Sequence, residues 1–380
     1  MRRALAAALL VLAASPAAAS AADPGRWRLA GHSRIPLEYY QGVTTDGLGH
    51  LWFDGVFAGL YRADTRLREQ RRNTLAIPPG VTLRRGYNHI GDIAYDARGG
   101  GRVLLPLECY YPGRPGGANS CGTGAIGVAD PVTLRWRYKV ELSPAEIPKA
   151  MWAEVSPGGR LLWTSSGQDL LAYRTADVAR GARTPIHAAR RLAGAVPPSG
   201  VTGATFYGDR LFLAGQSGDT FQVWSVNTAT GARRLEIQRQ IAGESEGLVT
   251  VRALGGVLHW IVTPVDPLGN PPTYGSGSNV LLHFRRVGAR RPLRLRARPR
   301  VLAAGRRVRV RFAASTVRSG RRVPVAGAIV SFAGRHARTS ERGVAHLRVR
   351  LARTGPRRAV ARRPDLRTGA VTLYVVRGGS

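Results

Sequence analysis

Five segments of the chain can be laid over one another, and this self-similarity restricts the possible folds more than any single motif does. They are QGVTTD (41–46), GDIAYD (91–96), WAEVSP (152–157), TGATFY (202–207) and EGLVTV (246–251). Each is followed by a glycine-containing turn and an apolar strand: HLWFD, RVLLPLE, RLLWTSS, RLFLAG and VLHWIV. A third strand comes next, and four of the five units then show a fourth, more polar one (REQRRNT, LRWRYKVEL, IHAARRLAG, RRLEIQRQI). The first strands are 50, 61, 50 and 44 residues apart. Four strands in about 45 residues is the period of a β-propeller blade.

The fifth unit runs out after its third strand, near Val287. RWRLAGHS (26–33) precedes the first unit and can supply the missing strand, closing the ring without a free edge. The expected class is therefore all-β: a five-bladed propeller over residues 26–288, with six blades as the alternative. Residues 289–377 form a second unit. PLRLRARPR, RVRVRF, HLRVRL and AVTLYVV alternate basic or polar with apolar residues, as half-buried strands do. Their number and length suit a β-sandwich.

VPVAGAIVSFAGRHARTSERGVAHLRVRL (323–351) resembles bacterial immunoglobulin-like domains. The likeness rests on a valine-rich strand with Val325, Ala328, Val330 and Phe332. A hairpin at Gly334, then Thr339, Gly343 and the alternation Ala345, Leu347, Val349 complete it. It implies an immunoglobulin-like sandwich used as a spacer or adhesion module. In blade pattern alone, the first unit resembles secreted bacterial propellers of the lactonase and phytase kinds.

MRRALAAALLVLAASPAAASAADPG reads as a secretory signal peptide over residues 1–21. Arg2 and Arg3 form the charged start, Ala4 to Ala14 the apolar run, and small residues the cleavage site. The run is too short to span a bilayer, and no later segment is long and apolar enough. The expected location is secreted or extracytoplasmic, in the cell envelope. In an oxidising compartment, the two cysteines, Cys109 and Cys121, are expected to form a disulfide across a Gly/Pro-rich loop.

Net charge is +34, and it is unevenly placed. Residues 289–380 carry 25 Arg against Glu341 and Asp365, a net of +23. The alternating Arg make one basic face, a contact for an anionic envelope polymer. No aromatic residues interleave for base stacking, which argues against sequence-specific nucleic-acid binding.

The candidate site comes from the repeat. In the first strands the second column reads Gly42, Asp92, Ala153, Gly203 and Gly247. Asp92 is the one large polar residue in a column that should crowd around the channel. Glu246 is the one charge in the first column. Neighbouring strands are antiparallel, so Asp54, Glu108 and Asp266 at the ends of the second strands should share that end of the channel, with His89 beside them. Asp92, Glu108 and Glu246 are oxygen donors suited to Ca²⁺; arginine salt bridges are the competing use. Tyr39, Tyr40, Tyr110 and Tyr111 could stack on a flat ligand there. No catalytic constellation is complete. The first expectation is an exported, non-catalytic propeller binding a small molecule, glycan or surface protein at this mouth. The alternative is a cation-dependent hydrolase of lactonase, phosphoesterase or glycosidase type, with His89 as proton shuttle.

Overall fold

The computed structural model describes residues 26–377 apart from 56, 111–120, 265–277 and 289. The expected signal peptide, Asp266 and Tyr111 lie outside these residues. Among the described residues, residues 27–286 form five antiparallel sheets of the blade type. Their innermost strands are Gly42–Thr45, the pieces His89–Ile90 and Ala94–Asp96, Glu154–Val155, Gly203–Tyr207 and Gly243–Ala253. Each touches the next, and the fifth touches the first. Five apolar clusters fill the spaces between adjacent sheets, one per gap.

This stacking explains the strand composition. A middle strand is covered on both faces by neighbouring blades, so it reads as a continuous apolar run. All seven residues of Arg102–Glu108 are buried. The outermost strand Glu69–Asn73 borders solvent and is almost wholly exposed. Trp52 stacks on Tyr95 across the first gap, ring centroids 4.9 Å apart, and Trp152, Trp163 and Trp260 are fully buried. The fifth sheet takes its outer strand from the start of the chain. Trp27–Ile35 pairs antiparallel with Asn279–Arg286, from Trp27 opposite Arg286 to Ile35 opposite Asn279.

Residues 290–377 fold as a four-stranded and a five-stranded sheet, with a short parallel pairing of Arg291–Pro292 and Leu366–Arg367, around a single apolar core that includes Phe312, Val330, Phe332, Leu347 and Leu373. This sandwich sits over the channel end where inner strands turn into second strands. Arg338 donates to the Asp46 carbonyl, and Arg160 Nη1 lies 2.8 Å from Glu341 Oε2. The firmest joint is buried Arg363. Its Nε and Nη2 grip both oxygens of Asp365 at 2.7 and 2.8 Å, and its Nη1 reaches Asp209 of the fourth blade at 3.0 Å.

Candidate active site at the carboxylate end of the channel

The inner strand of the second blade breaks at Gly91–Ile93, and the break places Asp92 on the channel axis. There the backbone leaves its own sheet and bridges the third blade: Asp92 N donates to Met151 O at 3.0 Å and Ala153 N to Asp92 O at 2.9 Å. Gly91 permits this, since a Cβ there would stand 1.9 Å from Met151 O. The Asp92 carboxylate accepts from Val43 N at 2.9 Å, Ala204 N at 2.7 Å and Leu248 N at 3.4 Å. One residue thus joins its own blade to the other four. The small column has the same cause: a Cβ on Gly247 would come within 2.8 Å of Asp92 Oδ1, and one on Gly42 within 2.7 Å of Asp92 Cα.

Asp54 and Glu246 lie beside this knot. Asp54 is fully buried, and among the described residues no well-formed hydrogen bond reaches either of its oxygens; the nearby N–H groups of Gly42 and of Asp54 itself only ease its charge. Glu246 is 4% exposed and accepts from Gln41 Nε2 at 3.0 Å. Burial raises the proton affinity of both well above the ordinary carboxylate range. The charges of Asp92 and Glu246 add to this at Asp54, and those of Glu244 and Asp92 at Glu246. Asp92 is also raised by burial, against its backbone donors. The end therefore holds three coupled acids with high proton affinity.

His89 and Glu108 form a separate pair. They face one another across the second blade, with His89 Nδ1 2.9 Å from Glu108 Oε1, and Lys149 Nζ lies 3.8 Å from Glu108 Oε2. Glu108 precedes Cys109, which is disulfide-bonded to Cys121, so this pair braces the root of that loop. Among the described residues no hydrogen bond or ion pair links His89 or Glu108 to Asp92 or Glu246. The proposed calcium ligands Asp92, Glu108 and Glu246 do not form a cluster: among the described residues no group of three or more His, Cys, Asp or Glu is arranged to hold a metal. Asp92 in particular has both oxygens committed to backbone N–H groups. Tyr39 is buried and stacks on Phe53 at 4.5 Å, so it is packing. Tyr40 donates to Glu244 Oε2 at 2.6 Å, and Tyr110 lies against His89 at 5.4 Å.

Sequence reasoning missed the opposite end. Beneath the sandwich lies a cavity of 790 Å³ whose lining includes Thr44, Glu154, Thr205 and Thr250 from the blades and Arg338 from the sandwich. Burial raises Glu154 to about 8, opposed by a backbone N–H from Phe206 and by the charge of Arg338. Arg338 is reachable from the cavity yet surrounded by protein, and the loss of hydration lowers its proton affinity. In the repeat alignment Glu154 shares a column with Val43, Ile93, Ala204 and Leu248, so its charge among apolar residues is the sequence signal that could have found this end.

No protein-family profile matches the chain, and no curated protein sequence does. Solved structures similar to it include a GH43 β-1,3-galactosidase (TM-score 0.46, 10% identity, 87% of this chain and 77% of that one). A GH43_1 enzyme from Xanthomonas citri complexed with xylose is similar over 68% of this chain and 90% of its own (TM-score 0.41, 10% identity). BamB from Moraxella catarrhalis covers 92% of this chain and 99% of its own (TM-score 0.29, 12% identity). Identities this low concern the fold alone. The chain is an all-β protein whose larger unit is a β-propeller.

Proposed function

We propose that the carboxylate end is the active site of an exported hydrolase working by acid–base chemistry, with Asp54 and Glu246 as the acting groups and Asp92 as their anchor. One observation carries the reading: Asp54 is a buried carboxyl with no well-formed hydrogen bond among the described residues, set beside two further acids. A lone buried polar group is costly, and such groups concentrate at sites that use them. Coupled acids cannot all ionise together, so one holds a proton at neutral pH while a neighbour is free to accept one. A proton donor and a base on either side of a bond are what glycoside hydrolysis requires, so glycosides are the first substrate class; phosphoesters and lactones follow. The glycosidases among the structural neighbours agree with this choice of class and do not establish it. Export is supported by the N-terminal leader pattern and by the disulfide.

Binding without turnover is the second reading, favoured by the near-complete burial of Asp54 and Glu246. Turnover of an aryl-glycoside, phosphoester and lactone panel by wild type, Asp54→Asn and Glu246→Gln, each with and without EDTA, separates the two. Expected is hydrolysis that falls at least 100-fold in Glu246→Gln and Asp54→Asn and is indifferent to EDTA. Loss on EDTA treatment would make a cation such as Ca²⁺ the agent instead. No turnover by wild type, or full turnover by both variants, would overturn the acid–base reading.

A further inference from the structure

The outer face of one sandwich sheet is an ordered array of arginines. Arg307–Arg318 is its central strand, with Arg294–Arg298 on one edge and Val344–Arg350 on the other. The outward arginines of these strands are exposed and the intervening residues are mostly buried against the core. The register places like charges directly opposite one another: Arg298 faces Arg311, Arg309 faces Arg348, and Arg307 faces Arg350. His346, opposite Arg311, adds a ring to the row. None of these arginines pairs with a carboxylate among the described residues. Arginines elsewhere such as Arg98, Arg102, Arg234 and Arg363 are matched to acids; what sets this face apart is the direct cross-strand opposition of its arginines.

Opposed like charges destabilise a sheet pair. Here the repulsion is repeated along three strands with no acid interposed. The grid has a spacing of about 4.8 Å across strands and about 6.8 Å along them. It suits a flexible chain carrying one anionic group per repeat unit, which can lay successive charges along a row. Guanidinium groups bind carboxylate, sulfate and phosphate oxygens in bidentate fashion. Exposed aromatic rings, which would stack bases, do not alternate with the arginines in these strands.

We propose that this face is a docking surface for a linear acidic polysaccharide, holding the exported protein on an anionic matrix while the propeller end stays free. The proposal is independent of the catalytic reading, since the array lies on the other domain. Binding to immobilised heparin, polygalacturonate and single-stranded DNA across a salt series tests it, with the full chain as wild type, the triple variant Arg309→Gln/Arg311→Gln/Arg348→Gln, and a control. The control, Arg335→Gln/Arg357→Gln/Arg358→Gln, removes the same charge from the other sheet. Expected is salt-dependent retention on both polysaccharides, weakened at least 10-fold by the triple variant and less than 2-fold by the control, with thermal unfolding lowered in neither. A loss of the same size in both variants would reduce the effect to net charge and overturn the proposal. So would absence of retention in wild type, or tighter binding to DNA than to either polysaccharide.

Discussion

The two ends of the propeller channel handle buried charge in opposite ways. Among the described residues, the end where inner strands begin gathers three acids with no ion-paired cation: Asp92 is held by backbone N–H groups, Glu246 by one amide, and Asp54 only by the nearby N–H groups of Gly42 and its own backbone. At the end where those strands turn, the cation is imported. The sandwich brings Arg338 to the channel mouth and Arg363 to Asp209, while Asp96 is already gripped by Arg98 and Arg102. Five inner strands crowding an axis offer spare N–H groups enough for one carboxylate. The others favour the protonated form and repel one another's charge, which is the property acid–base chemistry needs. At the turn end Arg363 offsets Asp209 and Asp365, while Glu154, raised to about 8, keeps its proton in the cavity beside Arg338.

The largest expected effect follows from the knot at Asp92. Asp92→Ala removes the acceptor for three buried N–H groups, each worth about 1–3 kcal/mol when orphaned, so urea unfolding should show a loss of about 3–6 kcal/mol. Asp54→Asn removes a carboxyl that no well-formed hydrogen bond reaches among the described residues, and its stability at pH 7 should equal or exceed wild type. If the two variants were equally destabilised, the distinction between anchor and acting group would fail.

At the other end, Arg363→Ala leaves Asp365 buried without its cation. A loss of about 3 kcal/mol is expected from breaking a buried pair of this kind. Limited proteolysis should then release the sandwich while the propeller stays intact; simultaneous digestion of both would show that the propeller depends on its cap.

Much of the fold was legible because blade repetition is a packing rule written in every unit. The strand at residues 26–33 was predictable from an incomplete fifth unit. The site was legible in part. Asp92 and Glu246 stood out as charges in columns of another kind, and Asp54 by antiparallel geometry. What a column cannot express is a side chain's hydrogen-bond partners. The N–H groups that satisfy Asp92 belong to three other blades, and no residue type marks them. Glu108 looked equivalent to Asp54 by strand position, yet His89 opposite it diverts it into a local pair. The cavity was invisible because it exists only between two units whose docking depends on scattered contacts.

Smaller effects sharpen the contrast through pH. Glu154 is raised from its ordinary 4.5 to about 8, so its folded form holds the proton more tightly than the unfolded chain does. The resulting stability is present in full below pH 4.5 and is lost as pH rises through 8. Glu154→Gln should therefore melt with wild type at pH 4 and a few degrees above it at pH 8.5. Equal melting at both would place Glu154 in water rather than in a desolvating cavity. In the fifth blade, His259 and His283 touch through their Nδ1 atoms at 2.8 Å, and burial lowers both to about 4. Their contribution is present above pH 6.5 and is lost as pH falls through 4. A decline on the order of 1 kcal/mol by pH 5.5, reduced in His259→Gln, is the expected trace. Its absence would mean that the pair keeps water within reach.

The most direct test of the acid–base site is the protonation state of its carboxyl groups. Infrared difference spectra of the protein at pH 7 in H₂O and D₂O, recorded for wild type, Asp54→Asn, Glu246→Gln and Glu154→Gln, resolve protonated from ionised side chains. The expected result is a protonated-carboxyl band in wild type that remains when Glu154 is replaced and weakens when Asp54 or Glu246 is. A band abolished by Glu154→Gln alone, or no band at pH 7, would contradict the assignment of Asp54 and Glu246 as a proton-holding pair.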